Sequence, residues 1–390
     1  MLVRFIAFAL PNRALVVAAL LVAATGCGSD DGSGGNAYPL DDTLRLNQIQ
    51  VLGSHNSYHI RPQGRLGRGL PIEEWQYTHI PLDQQFETQG VRQIELDVFA
   101  DPDGGKYAHP LGAARVGDPF DVPALLAPGL KVLHVQDLDF QSTCWTFVEC
   151  LTAVKTWSDA NPEHVPITIL IEAKDDVIDL PLPGLPPLTV PVEFDSAQLD
   201  VIDAEILSVF PIEQIITPDE VRGAHATLEE AVTTDGWPTL GASRGRVLFA
   251  LDNGGRIKEA YLHGHPSLQG RILFTDSSPG EPEAAFVKEN GSVGNEERIR
   301  DLVAAGFIVR TRADSDTHEA RDGDTTTRDA AIASAAQFVS TDYPVPDPDF
   351  GTGYFVAIPG GMPARCNPVS APPECTALDI ENPGLLALRP

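Results

Sequence analysis

Positive charge is scarce in this chain. Its 390 residues include 27 Lys and Arg against 55 Asp and Glu, a formal net charge of −28. A nucleic-acid binder needs clustered cations to neutralise phosphates, so that class is excluded. Broad electrostatic adsorption to anionic lipid is excluded on the same ground. Any anionic ligand must be met by a few local cations or by a bound metal. Long apolar runs are missing too. The longest, from Ala14 to about Thr25, falls short of the ~20 residues of a bilayer-spanning helix. The sequence contains no internal repeat, and no Ser or Cys nucleophile sits in a recognisable elbow. A covalent intermediate is therefore not expected.

Cysteine is limited to five residues: Cys27, Cys144, Cys150, Cys366 and Cys375. The first follows a segment with the layout of an export signal: Arg4, Arg13, a short apolar stretch, then Ala24-Thr25-Gly26-Cys27. Small residues before a cysteine mark lipoprotein signals, so residues 1–26 are expected to be removed and Cys27 to carry lipid. The protein would then be exported, anchored to a membrane or secreted. Removal takes away two arginines and no acidic residue, leaving a net charge of about −30. Residues 27–40, Gly-rich and polar, read as a flexible tether. Four cysteines remain, and adjacency favours Cys144–Cys150 and Cys366–Cys375, although four allow three pairings. Disulfides persist in an exported chain. Zinc is disfavoured, because the spacings are wrong and no histidine pair accompanies them.

What is present is an alternation of apolar, β-branched runs with helix-like stretches. Strands are predicted near Gln48–Leu52, Val91–Phe99, Lys131–Val135, Ile167–Glu172, Arg246–Leu251, Arg271–Phe274, Phe307–Arg310 and Gln337–Ser340. Helices are predicted over Cys144–Ser158, Ser196–Phe210, Glu296–Ala305 and Arg328–Ala336. Eight strands alternating with helices imply a parallel sheet, and eight is the number that closes a (β/α)8 TIM-type barrel. The fold class is thus α/β, with one barrel domain over 41–345; an open doubly wound sheet is the alternative. Residues 346–390, rich in Gly and Pro, are expected to pack on the barrel as a tail. The segment 179–195, rich in Pro and Leu, is expected to be a loop packed on the barrel rim, with an apolar lip as the alternative.

Polar residues recur along these strands. His55 follows the first, Glu95 and Asp97 lie in the second, His134 ends the third and Glu172 ends the fourth. The separations His55–Glu95, Glu95–His134 and His134–Glu172 are 40, 39 and 38 residues, each close to one βα unit. Such strand ends share the C-terminal face of a barrel, where active sites form. Glu95 and Asp97, two apart, point the same way. Three carboxylates buried together need compensation, and an all-oxygen set with Asn56 suits Ca²⁺ or Mg²⁺. Two histidines beside a divalent cation suit metal-assisted acid–base cleavage of a phosphodiester. His109 is the alternative to His134 as the second histidine.

At these residues the sequence resembles the phosphatidylinositol-specific phospholipase C superfamily, and within it the bacterial Ca²⁺-dependent branch. The likeness runs from about Leu46 to Pro344. It is carried by LGSHNSY (52–58), QGVRQIELDVFAD (89–101), VLHVQDLDFQSTC (132–144), ILIEAKD (169–175), FIVRTRADSD (307–316) and QFVSTDYP (337–344). The resemblance implies that His55 is the base on the inositol 2-hydroxyl and that His134 serves the leaving side. It implies Asn56, Glu95, Asp97 and Glu172 as Ca²⁺ ligands, and an inositol 1,2-cyclic phosphate as product. Lys174, Arg310 and Arg312 are candidates for substrate contacts. Glycerophosphodiester phosphodiesterases share the barrel, but their first motif usually reads His-Arg where this chain has His55-Asn56. A glycerophosphodiester or other phospholipid headgroup is the second reading of the substrate, and a non-catalytic lipoprotein binding module the third. The chain is expected to be a monomer.

Overall fold

The computed structural model describes residues 38–62, 73–178 and 186–381. The signal peptide, Cys27 and part of the 179–195 segment lie outside the described residues. The strands in chain order are β1 (Ile49–Ser54), β2 (Val91–Phe99), β3 (Lys131–Val132), β4 (Ile167–Ala173), β5 (Ile215–Ile216) and β6 (Val247–Leu251). They continue with β7 (Leu273–Thr275), β8 (Phe286–Lys288), β9 (Ile308–Arg312), β10 (Phe338–Thr341) and β11 (Ala364–Cys366).

Parallel pairing runs from β6 through β4, β2, β1, β10 and β9 to β8, and β7 adds to β6. Asp276, next to β7, makes a single parallel bridge to Phe286 of β8 and brings the two ends of the curl together. Eight parallel strands therefore surround one axis, as the strand count predicts, and the two-residue β5 pairs parallel with the start of β6 outside that ring. Every residue of β1, β2, β6 and β10 is buried, the mark of strands covered on both faces. Helices such as Phe147–Ala160 and Ser196–Val209 cross between them, capped by Thr146 and Asp195.

Two strand assignments differ from the sequence reading. The Lys131–Val135 run is not a ring strand. Only Lys131–Val132 is extended, and it pairs antiparallel with β2 through Val98 and Phe99. At Val135–Asp139 the chain doubles back, with Asp137 at φ 67°. The vacated ring position is taken by β8, three residues too short to show a period-2 pattern. His134 thus stands on the long excursion between β2 and β4. The even spacing across Glu95, His134 and Glu172 covers one crossover, not two.

The interior of the barrel is polar near its mouth. Gln93 reaches across to accept a hydrogen bond from the Ser340 hydroxyl. A Cβ on Gly53 would lie 1.9 Å from Gln93 Oε1, so only glycine at 53 leaves that room. At the other end β11 pairs antiparallel with β1, and the fully buried Arg92–Glu381 ion pair fastens the end of the described chain to β2. Both predicted disulfides form, with Cα–Cα distances of 5.3 Å for Cys144–Cys150 and 6.1 Å for Cys366–Cys375. Such bonds fit an oxidising compartment. Among the described residues no helix is long and apolar enough to cross a membrane.

Candidate active site

The register of the strands assembles the site. Ser54 pairs with Thr341, so the next residues, His55 and Asp342, leave β1 and β10 side by side. His55 Nδ1 lies 2.8 Å from Asp342 Oδ1, and Asp342 Oδ2 accepts from Arg312 at 3.0 Å. That bond fixes the tautomer with the proton on Nδ1 and leaves Nε2 facing the pocket. Nε2 stands 3.8 Å from Glu95 Oε1 and 3.3 Å from Arg312. Burial, then the Arg312 charge, hold His55 well below the ordinary histidine value, against the pull of Asp342. It is therefore a neutral imidazole at pH 7, and its Nε2 lone pair accepts from Arg312. Burial pushes Asp342 up, but His55 and Arg312 outweigh it and hold the carboxyl below the usual range.

Asp97 and Glu172 are register partners on β2 and β4. With Glu95 they bring three carboxylate oxygens within 4.8 Å of one another. Lys174 stands between two of them, 3.1 Å from Asp97 and 3.0 Å from Glu172. Arg310 holds Glu95 at 2.5 Å and also donates to Asn290 and Ser340. Burial pushes Glu95 up to about 7 even so, and raises Asp97 well above its ordinary value. Asp97 is met by the Lys174 ammonium, while the buried Asn56 Oδ1 has no hydrogen-bond partner among the described residues. A buried oxygen without a donor is costly. An all-oxygen set of this kind fits a hard divalent cation, so the residues present suit Ca²⁺. Asn56 sits at φ 43°, a left-handed conformation that Asn tolerates.

His134 reaches the same mouth from the β2–β4 excursion. Its Nδ1 lies 2.7 Å from Asp139 Oδ2, which also receives His59 Nε2 at 2.7 Å. Trp75 meets the His134 ring edge-on at 5.7 Å. The Cys144–Cys150 disulfide, five residues beyond Asp139, ties the end of this segment to the first turn of the Phe147–Ala160 helix. Burial lowers His134; the Asp139 hydrogen bond opposes this, and the Lys174 charge acts with burial. The His59 ring meets His134 edge-on at 5.5 Å and stacks on Tyr77 at 4.2 Å, and the Tyr77 hydroxyl accepts from Asn56 at 3.0 Å, which links His134 to the mouth. His109 is exposed on the same excursion.

The structure brings together His55, Asn56, Glu95, Asp97, His134, Glu172, Lys174, Arg310 and Arg312. It adds Asp342 and Asp139, which orient the two histidines and which the sequence reading passed over. They lie in TDYP (341–344) and QDLDF (136–140), but nothing in the spacing separates them from ordinary turn aspartates. Across the mouth, Asp252 after β6 pairs with Lys288 of β8 at 2.6 Å.

A parallel barrel with histidines and clustered carboxylates at the C-terminal ends of its strands has the layout of the barrel phosphodiesterases. The chain belongs to the Ca²⁺-dependent phosphoinositide phospholipase C family, whose model matches residues 44–368. Among solved structures it is similar to a calcium-dependent phosphoinositol-specific phospholipase C from a Pseudomonas species. Identity there is 16%, over 85% of this chain and 98% of that one, with a TM-score of 0.49. It is also similar to a Ca²⁺-dependent phosphatidylinositol-specific phospholipase C from Streptomyces antibioticus (18% identity, 80% and 97% coverage, TM-score 0.48). A glycerophosphoryl diester phosphodiesterase from Parabacteroides distasonis is more distant (12%, 76% and 84%, TM-score 0.28). The membership rests on the family model, and these structural likenesses carry no argument about residues or substrate. The curated proteins contain no match.

Proposed function

We propose that the protein cleaves phosphatidylinositol, or a related phosphoinositol diester, by intramolecular attack of the inositol 2-hydroxyl. The observation that carries this reading is the pairing of two Asp-oriented histidines with three converging carboxylates in one mouth. His55 Nε2 takes the proton of the 2-hydroxyl. The oxygen attacks phosphorus, the bond to the glycerol oxygen breaks, and His134 gives its proton to the departing alkoxide. The products are a 1,2-cyclic inositol phosphate and diacylglycerol. Asn56, Glu95, Asp97 and Glu172 would hold one Ca²⁺, which when bound supplies positive charge for the negative charge developing on the phosphate oxygens. Lys174 and Arg312 add local cations. Arg310 holds Glu95 in place and opposes the upward push of burial on its carboxyl.

A general acid must carry a proton, yet His134 is lowered in the free protein. The phosphodiester monoanion beside it works in the opposite direction, since a nearby negative charge favours the imidazolium. Asp139 adds to that effect. Asp139→Asn is therefore expected to lower the His134 pKa and move the basic limb of the kcat/KM profile to lower pH. A profile whose basic limb stays in place contradicts this role.

The activity test is release of cyclic inositol phosphate from phosphatidylinositol with Ca²⁺ and then with EGTA. Calcium-dependent release supports the reading. Turnover of glycerophosphodiesters alone points to the second substrate class, and no turnover of any diester leaves the binding module. We also propose that the exported protein is anchored by lipid on Cys27. Cys27→Ser should then move it from the membrane to the soluble fraction, and unchanged membrane association contradicts the anchor.

A further inference from the structure

Asp314 lies two residues past Arg312 at the end of β9 and is 1% exposed. Its Oδ1 accepts the backbone N–H of Asp342 at 2.8 Å. Its Oδ2 accepts the Thr341 hydroxyl and, at 3.2 Å, the Tyr354 hydroxyl, which also meets Ala313 O at 3.0 Å. The Thr341 oxygen in turn accepts the N–H of Tyr343 at 2.9 Å. Three consecutive residues around the Asp342 carboxylate are thus held on Asp314, directly or through one hydroxyl. The same turn is tied to the backbone of the base, because His55 N–H donates to Thr341 O at 3.1 Å. Tyr354 comes from the segment beyond the last barrel strand, so that segment takes part in holding the dyad.

We propose that Asp314 is a positioning residue for catalysis: it fixes the Thr341–Tyr343 turn so that Asp342 meets His55 Nδ1 and Arg312 together. The inference rests on the reading of His55 as the base. A misplaced orienting carboxylate lets the imidazole rotate away from its attack geometry, and errors of about 1 Å in such sites cost up to about 10²-fold in rate. Metal binding should change little, because Asp314 bonds neither the pocket carboxylates of β2 and β4 nor Lys174.

The test is a kinetic cycle on phosphatidylinositol at saturating Ca²⁺ with Asp314→Ala, Asp314→Asn, Asp342→Asn and the Asp314→Ala/Asp342→Asn pair. Asp314→Ala is expected to lower kcat by roughly 10- to 100-fold with KM within about threefold. Asp314→Asn keeps an acceptor for the Asp342 N–H and offers its amide to the hydroxyl oxygens, so it should recover most of that loss. With Asp342 already replaced, Asp314→Ala should cost less than about threefold, since the two act as one unit. The same factor in both backgrounds, or an Asn variant as impaired as Ala, overturns the proposal. So does a near-normal Asp314→Ala beside a crippled Asp342→Asn, which leaves the dyad itself intact. An unimpaired Asp342→Asn overturns both the dyad and the positioning role. Should Asp314→Ala fail to fold, Tyr354→Phe removes one donor only. Its severalfold loss in kcat must vanish in the Asp342→Asn background, and persistence there overturns the proposal.

Discussion

Replacing His55 by alanine is expected to lower kcat by roughly 10²- to 10⁴-fold, the contribution of a positioned general base. The fold should survive, because the His55 side chain makes its bonds to Asp342 and Arg312 at the mouth and not in the apolar core. Calcium affinity should also change little, since the carboxylates of β2 and β4 keep their places. The pH dependence gives the sign of the role. Burial and Arg312 hold His55 below its ordinary value, so the base form persists as pH falls below that value, and the acid limb of kcat/KM lies on the acid side of about 6.5. Raising that limb requires removing a cation: Arg312→Gln should move it to higher pH. Retention of near-normal turnover in His55→Ala, with the protein folded, sinks the assignment of the base.

Withdrawal of calcium is expected to lower turnover by at least roughly 10²-fold, the scale of losing a major electrostatic stabiliser of the transition state. Asp97→Asn should reproduce this in graded form. Its calcium midpoint should rise by about tenfold or more, a loss typical even of residues one shell beyond the ligands, and saturating Ca²⁺ should restore much of the rate. Protons compete with the metal at the same oxygens. Burial raises Glu95 to about 7 and Asp97 well above its ordinary value. The metal needs the ionised forms, so the calcium midpoint should fall as pH rises through about 7. A midpoint independent of pH, together with an unchanged titration in Asp97→Asn, removes these residues as ligands.

The barrel was legible because its long strands are buried on both faces. Val91–Phe99 and Ile167–Glu172 read as strands from composition alone. The pair Glu95–Asp97 stood out for the same reason: charges inside an apolar strand demand a partner. The excursion carrying His134 was misread because Lys131–Val135 has the residues of a strand, while its actual conformation is set by the antiparallel pairing of Val132 with Val98 and the turn at Asp137. Those are tertiary choices that local propensity does not encode. β8 escaped because three residues carry too little period. Asp342, Asp139 and Asp314 were invisible for another reason. Their importance lies in which atom they meet across the sheet, and an aspartate after a strand has the same sequence signature whether it orients a histidine or caps a turn.

The proposed chemistry requires one pocket in which β1, β2 and β4 deliver Asn56, Glu95, Asp97 and Glu172 around a cation beside His55. A crystal structure of the protein soaked in Ca²⁺ measures this directly. Oxygens of those four residues should lie about 2.3–2.6 Å from a single ion, with His55 still bonded to Asp342. An ion bound elsewhere, or the three carboxylates turned away from a common centre at saturating Ca²⁺, contradicts it.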